Sequence, residues 1–345
     1  MPNGKRRLVP VDLAAPDLSA VLDASRSLRV AVASKKGPHV TPELFVVLDG
    51  RIWSFTAASS LKVRVARGSS RVGIAVGGDD RDTDSGGRLV LGANVTVLDP
   101  ARPIAAVASG FAIDVPRVIA AFASRHAFEI AGGAVDVVLG SFGLVPGRWV
   151  LLAFDVDAVA VLGRGGMMRA EGWSPGTATF TPTEDADDAD ADADDADDAV
   201  AIDVPVDAIP SPVRHLLDRD VATLGWNTTS GPIALPVAWD GATSTATVDG
   251  GVFTAVGAAK RGPAALTFDE WVAPGPAGKR GVMLRGDGRT EREDGDGRVV
   301  VRIEVDRAVA WDGIATSSTS GIRDDPAQSE QTASDSAPNK ETRAG

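Results

Sequence analysis

Between Glu184 and Asp198 the chain carries ten carboxylate side chains and no basic one. Such a run repels itself and has almost nothing apolar to bury, so it cannot join a packed core. It therefore divides the 345 residues into two parts, each long enough for a domain of its own. The run lacks the spaced glycine and terminal bidentate glutamate of a calcium loop. It also distorts the charge balance. The formal net charge is −12, and without these ten groups it is −2. The two bodies are thus nearly neutral, and neither shows the broad basic face that nucleic acid requires.

On either side of the run the pattern is that of β-structure. Short apolar stretches alternate with turn residues, supplied by 38 glycines and 21 prolines. The complete lack of cysteine excludes disulfides, thiolate metal sites and cysteine nucleophiles, and it suits a reducing compartment. Lys5, Arg6 and Arg7 are followed by no apolar run long enough for a leader or a membrane span, so a cytoplasmic location is expected.

In chain order, residues 1–14 read as a loose arm, followed by a short helix with Asp17 as cap and Leu18, Val21 and Leu22 on its buried face. Strands are expected over 28–34, 39–48, 51–56, 71–76, 88–98 and 149–162, with a helical insertion from Pro116 to Phe128. Pro42 marks its strand as an edge or the site of a bulge. A helix from about Ser59 to Arg67 is expected to be capped by Ser59 or Ser60, to pair Leu61 with Val65, and to end at Gly68. After the acidic run, a helix begins near Ser211-Pro212. Strands follow over 221–226, 233–239, up to Phe253-Thr254, and over 264–268, 281–285 and 298–311.

The parts repeat in order. Gly37-Pro38 and Pro42 answer to Gly231-Pro232 and Pro236. Phe55-Thr56 and Lys62 answer to Phe253-Thr254 and Lys260. The run beginning Val156-Asp157 answers to that beginning Val305-Asp306. The expected architecture is mainly β: two tandem split β-barrels of about six antiparallel strands each, with short helices and a helical insertion in the first. Residues 1–165 form the first domain, 166–202 a disordered linker, 203–315 the second domain and 316–345 a disordered tail.

One place departs from ordinary helix chemistry. Lys62 and Arg64 stand in the first turn of a helix, where positive charge opposes the dipole at a cost of about 0.3–1 kcal/mol per exposed group. A phosphate would accept from the free N–H groups there and pair with Lys62, while Thr56, Ser59 and Ser60 add hydroxyl donors. On residue types alone, a serine-capped surface helix explains the same pattern.

The stretch from Leu28 to Val76 resembles the pyridoxamine 5′-phosphate oxidase-like, FMN-binding split-barrel superfamily. The likeness is carried by Gly37-Pro38-His39-Val40-Thr41-Pro42, Arg51-Ile52-Trp53-Ser54-Phe55-Thr56, Ser59-Ser60-Leu61-Lys62 and Ser70-Arg71-Val72-Gly73-Ile74-Ala75-Val76. The resemblance implies a flavoprotein oxidoreductase acting on a small molecule, with FMN as cofactor. Thr56, Ser60 and Lys62 would meet the phosphate, with Ser59 and Phe55 beside them, and His39, Val40 and Thr41 would lie near the ring. Split barrels pair, so the halves are expected to form an intrachain pseudo-dimer or the chain a homodimer. The arginine strand and the C-terminal substrate residues of true pyridoxamine phosphate oxidases are missing. In the second half Ala258-Ala259 stand where the first has serines, which marks that copy as degenerate. A deazaflavin-dependent reductase is the near alternative, its longer acidic tail served by Lys35, Lys36, Lys62, Arg64 and Arg67. A non-enzymatic flavin- or haem-binding barrel is the other. His39, His126 and His215 are scattered without ligand spacing, so no metal centre is expected.

Overall fold

The computed structural model describes residues 9–77, 87–99, 114–127, 149–173, 208–272, 278–293, 297–312 and 315–320. The first half opens with α1 (Pro16–Ala24), β1 (Ser27–Ser34), β2 (Gly37–Leu48), β3 (Arg51–Ala57) and α2 (Leu61–Gly68). It continues with β4 (Arg71–Val76), β5 (Arg88–Leu98), α3 (Asp114–Arg125), β6 (Trp149–Gly163) and β7 (Gly166–Glu171). The second half has α4 (Ser211–Arg214) running into a 3-10 turn (His215–Asp218), then β8 (Val221–Thr228), β9 (Gly231–Asp240), β10 (Thr245–Asp249) and α5 (Gly250–Ala255). Its last strands are β11 (Arg261–Trp271), β12 (Lys279–Glu293), β13 (Arg298–Asp312) and β14 (Ala315–Ser320).

Each half is one antiparallel sheet closed into a barrel. The first runs β3-β2-β1-β4-β5-β6, with β3 pairing β6 to close the ring and β7 added outside it. The second runs β10-β9-β8-β11-β12-β13, with β10 pairing β13 and β14 added outside. Closure removes the free edges that an open sheet would expose. Leu28, Val30, Ile52, Ile74, Leu89, Leu91, Val150 and Phe154 fill the first interior. Leu224, Trp226, Leu235, Leu266, Val282 and Val301 fill the second.

Details of the pairing match as well. Gly37 and Gly231 both take left-handed φ values, 90° and 121°. In the turns that hold them, Ser34 Oγ donates to the Gly37 carbonyl and Thr228 Oγ1 to that of Gly231. The repeated Val-Asp run is a β-bulge. Opposite Gly92-Ala93 the register passes from Ala158 to Val156, and opposite Arg285-Gly286 it passes from Arg307 to Val305. Asp157 and Asp306 are the extra residues, an insertion that bends the strand where it occurs. Asp157 accepts from Arg71 Nη1 at 2.5 Å and from Asn94 Nδ2 at 2.8 Å.

Other expectations shift. Val11 bonds to the Val156 carbonyl and Leu13 is buried, so this part of the arm is docked on the barrel. The cap of α1 is Ala15, with Pro16 opening the helix and Asp17 paired to Arg169. Gly166–Glu171, expected at the start of the linker, pairs with β6, and Ala315–Ser320, expected in the tail from residue 316 onward, pairs with β13. The acidic run and residues 321–345 lie outside the described residues, as does Phe128. Phe253-Thr254 belongs to helix α5 rather than to a strand. Asp249 caps that helix by accepting from the Val252 N–H at 2.9 Å.

The barrels pack against each other through β1, β2 and β4 of the first and β8, β9, β11 and β12 of the second. Ala31, Val40, Ala75, Ala234, Ala265 and Met283 form the apolar centre of this seam. The approach is close. A Cβ on Gly73 would meet the Ile233 Cα at 2.4 Å, and one on Gly225 would meet Val40 Cγ2 at 2.4 Å. Arg29 of β1 crosses to Asp269 of β11 with two parallel hydrogen bonds, 3.1 and 3.2 Å, both side chains buried. Arg285 of β12 donates to the Lys36 and Gly37 carbonyls of the other barrel.

Candidate functional site

β2 pairs with β1 along its whole first half, whereas β3 joins it only from Phe45 to Leu48. The other edge of residues 37–44 is therefore open to the second barrel, which is the position expected of a strand carrying Pro42. Besides Arg285 at the Gly37 carbonyl, two groups of the second barrel reach it. Thr267 Oγ1 donates to the Val40 carbonyl at 3.1 Å, and Lys279 Nζ donates to the Pro42 carbonyl.

Alternation along β2 sorts the expected site residues. His39, Thr41 and Glu43 stand opposite Val32, Val30 and Leu28, so they share the face that looks into the first barrel. Val40 stands opposite Ala31 and faces the seam. On β3, Thr56 stands opposite Val150 and faces inward. Phe55 points away, with its ring edge-on to Phe122 of α3 at 4.7 Å. Ser59 is exposed in the turn before α2. Ser60 caps α2, its hydroxyl accepting from the Val63 N–H at 3.4 Å.

α2 is rotated from the expected orientation. Its buried residues are Lys62, Val63 and Ala66, while Leu61 and Val65 are half-buried. Gly68 is its last residue and Ser69 its C-cap. Lys62 is thus turned inward at the helix start, where no acidic residue lies in the first turn. It forms an ion pair with Glu43, each side chain 6% exposed. The same carboxylate oxygen lies 3.8 Å from Lys279 Nζ. Two ammonium groups, one from each barrel, thus enclose a single carboxylate.

Burial dominates the titration of this cluster. Loss of solvent, followed by the nearby Lys279 charge, pushes Lys62 well below an ordinary lysine, and the Glu43 carboxylate works in the opposite direction. Burial lowers Lys279 to about 8. His39 is lowered to about 3, first by burial and then by the Lys62, Arg285 and Lys279 charges, so it is neutral at any ordinary pH. His39 Nδ1, Thr41 Oγ1 and Trp311 Nε1 are enclosed without a hydrogen-bond partner among the described residues. Trp311 packs on the seam cluster.

Glu43 and Lys279 are the members that the sequence did not single out. Lys260, read as the counterpart of Lys62, is exposed just before β11. By topology the counterpart of α2 is α5, and the second position after its cap is Gly251. Counting from the shared turn glycine, His39, Thr41 and Glu43 correspond to Ile233, Leu235 and Val237. The mouth of the second barrel is therefore apolar where that of the first is charged.

The other polar regions offer less. His126 Nε2 sits 2.7 Å from the Phe45 carbonyl, and His215 bonds to Glu270. Among the described residues no three His, Asp or Glu side chains gather as metal ligands, and no helix is long and apolar enough to cross a membrane. A cleft of about 570 Å³ on the second barrel is lined by Arg214, Asp218, Arg219, Trp239 and Asp240 among others. Its arginines are committed, Arg214 to the Ile209 carbonyl and Arg219 to Glu270.

The residues around Lys62 fit an anionic group. They bring two lysines against one carboxylate, the start of a helix, and two enclosed polar atoms lacking partners, His39 Nδ1 and Thr41 Oγ1.

No family model and no curated protein matches the chain. Solved structures do. A Clostridium acetobutylicum protein related to general stress protein 26, of the pyridoxine phosphate oxidase family, is 14% identical, with 44% of this chain and 87% of that one covered and a TM-score of 0.28. A FAD-binding protein of Mesorhizobium loti is 18% identical, with coverages of 43% and 94% and a TM-score of 0.29. HutZ, a haem storage protein of Vibrio cholerae, is 14% identical, with coverages of 44% and 95% and a TM-score of 0.33.

Proposed function

We propose that this chain binds FMN by its phosphate at the mouth of the first barrel and acts as a flavin-dependent oxidoreductase on a small molecule. The observation that carries the reading is the charge surplus at the start of α2, where the buried Lys62 and the half-buried Lys279 share one carboxylate. A buried ammonium without a full counter-charge is costly, and a phosphate removes that cost. Lys62 and the first N–H groups of α2 would hold the phosphate, with the inward-facing Thr56 hydroxyl beside them and Lys279 reaching across the seam. His39 and Thr41 lie on the same inward row and Val40 faces the seam, which places all three beside the open edge of β2. His39, held neutral, adds hydrogen bonding without adding charge. The bound flavin would supply the hydride chemistry, and the protein binding and orientation.

A second reading has an observation of its own. Glu43 already pairs with Lys62, and Ser60 already caps α2, so the cluster can serve as a staple between barrels in a protein that binds no flavin. Titration with FMN separates the two. The first reading predicts saturable binding to the purified protein. Lys62→Ala should weaken it by about 10–100-fold, the value of a charge-assisted hydrogen bond. Absence of FMN binding, or an affinity unchanged by Lys62→Ala, overturns it.

A further inference from the structure

We propose that Glu43 is an internal stand-in anion: it occupies the phosphate seat between Lys62 and Lys279 and gives it up when a phosphate-bearing ligand enters. The inference rests on the anion site proposed above and concerns how that site is kept closed. One oxygen of Glu43 is the meeting point of the two ammonium groups, so any anion that pairs with both must compete with it. The three groups belong to different elements, β2, α2 and β12, and Lys279 comes from the other barrel. None is required by the fold. At the matching positions of the second barrel Val237 stands for Glu43 and Gly251 for Lys62, so the carboxylate and the lysine are absent together. That joint absence is what a charge pair demands, since either member left alone would be a buried unpaired ion.

The cost of an empty seat explains why the chain carries its own anion. Lys62 and Glu43 are each more than nine-tenths buried, and water cannot replace a counter-charge there. Before the ligand arrives the carboxylate balances one of the two ammonium groups. A phosphate monoester or diester then substitutes for it and also reaches the free N–H groups of α2. A ligand without a phosphate has nothing to exchange for the carboxylate. The device thus selects phosphorylated flavins over riboflavin and sets their affinity below what two lysines alone would give.

The test uses the full chain with FMN, riboflavin and inorganic phosphate as probes. Glu43→Gln keeps the shape and removes the competitor. It should bind FMN about 10-fold or more tighter than the natural chain, with riboflavin binding the same in both. It should melt at a lower temperature without anions and regain more of that loss in phosphate than the natural chain does. Lys279→Met leaves Lys62 and Glu43 balanced one to one; it should fold normally and bind FMN more weakly. If the natural chain binds FMN but Glu43→Gln leaves the affinity unchanged or weakens it, the stand-in role is wrong while the site stands. If Glu43→Gln does not fold, unchanged FMN affinity in Lys279→Met overturns the proposal. If no form binds FMN or gains stability in phosphate, the site and the stand-in fail together.

Discussion

The two barrels have the same strand order, the same turn glycine and the same bulged strand, yet one mouth is charged and the other is sealed with aliphatic side chains. Ile233, Leu235 and Val237 show that this row of the barrel is satisfied by apolar burial alone. The first barrel puts His39, Thr41 and Glu43 there and adds Lys62 from above. A buried ion pair is a poor source of stability compared with well-packed apolar groups of the same size. The difference between the mouths therefore points to binding, and it assigns the binding to one half. The second half still takes part, because Lys279 enters the first mouth and Thr267 bonds to the edge of its strand.

That comparison can be broken in several ways. The largest effect is expected from Glu43→Ala, which strands the buried Lys62 ammonium and removes the carboxylate beside the half-buried Lys279, and should cost about 3–5 kcal/mol of stability in chemical denaturation. Its counterpart Val237→Ala should cost less, about 1.5–3 kcal/mol, from lost burial and the cavity left behind. If the two costs are equal, the charge cluster is ordinary packing. Gly73→Ala at the seam forces a Cβ onto the Ile233 backbone and should cost about 1–3 kcal/mol, with both halves loosened in hydrogen exchange.

An effect that is absent at neutral pH and grows only in acid concerns His39. His39 takes a proton at about pH 3 in the folded chain but near its ordinary value of 6.5 when unfolded. Between those limits the unfolded state binds the extra proton, so stability is lost as the pH falls from 6.5 toward 3. Each unit of lowering corresponds to about 1.4 kcal/mol. His39→Gln should flatten that part of the stability profile and leave it unchanged above pH 7. An equal slope in both proteins would remove His39 from the cluster. The smallest effect is that of Lys260→Ala. Exposed and outside the mouth, it should change stability by under about 0.5 kcal/mol and leave FMN binding alone.

Much of the fold was legible because strands write alternation and turns into the sequence. β4 and β5 fall where the pattern places them, and Pro42 announces the open edge of β2. The polar edge strands β7 and β14 were not legible. A strand outside the ring buries little, so its composition resembles that of a linker or tail. The site was half legible. The odd charge at the start of α2 drew attention to Lys62, but helical spacing counts lysine as a surface residue and so turned Leu61 and Val65 inward instead. Only the tertiary structure supplies Glu43 as the reason for the actual rotation. Matching by equal spacing chose Lys260, whereas the cation that reaches the site is Lys279, brought in by the pairing of β11 with β12.

The account's central claim is a single anion seat per chain, built by the first barrel and completed by Lys279 of the second. Calorimetric titration of the full chain with FMN tests it most directly. One FMN per chain, with binding weakened by Lys62→Ala and by Lys279→Ala alike, is the predicted result. Two per chain, none, or a single site insensitive to both lysines would contradict it.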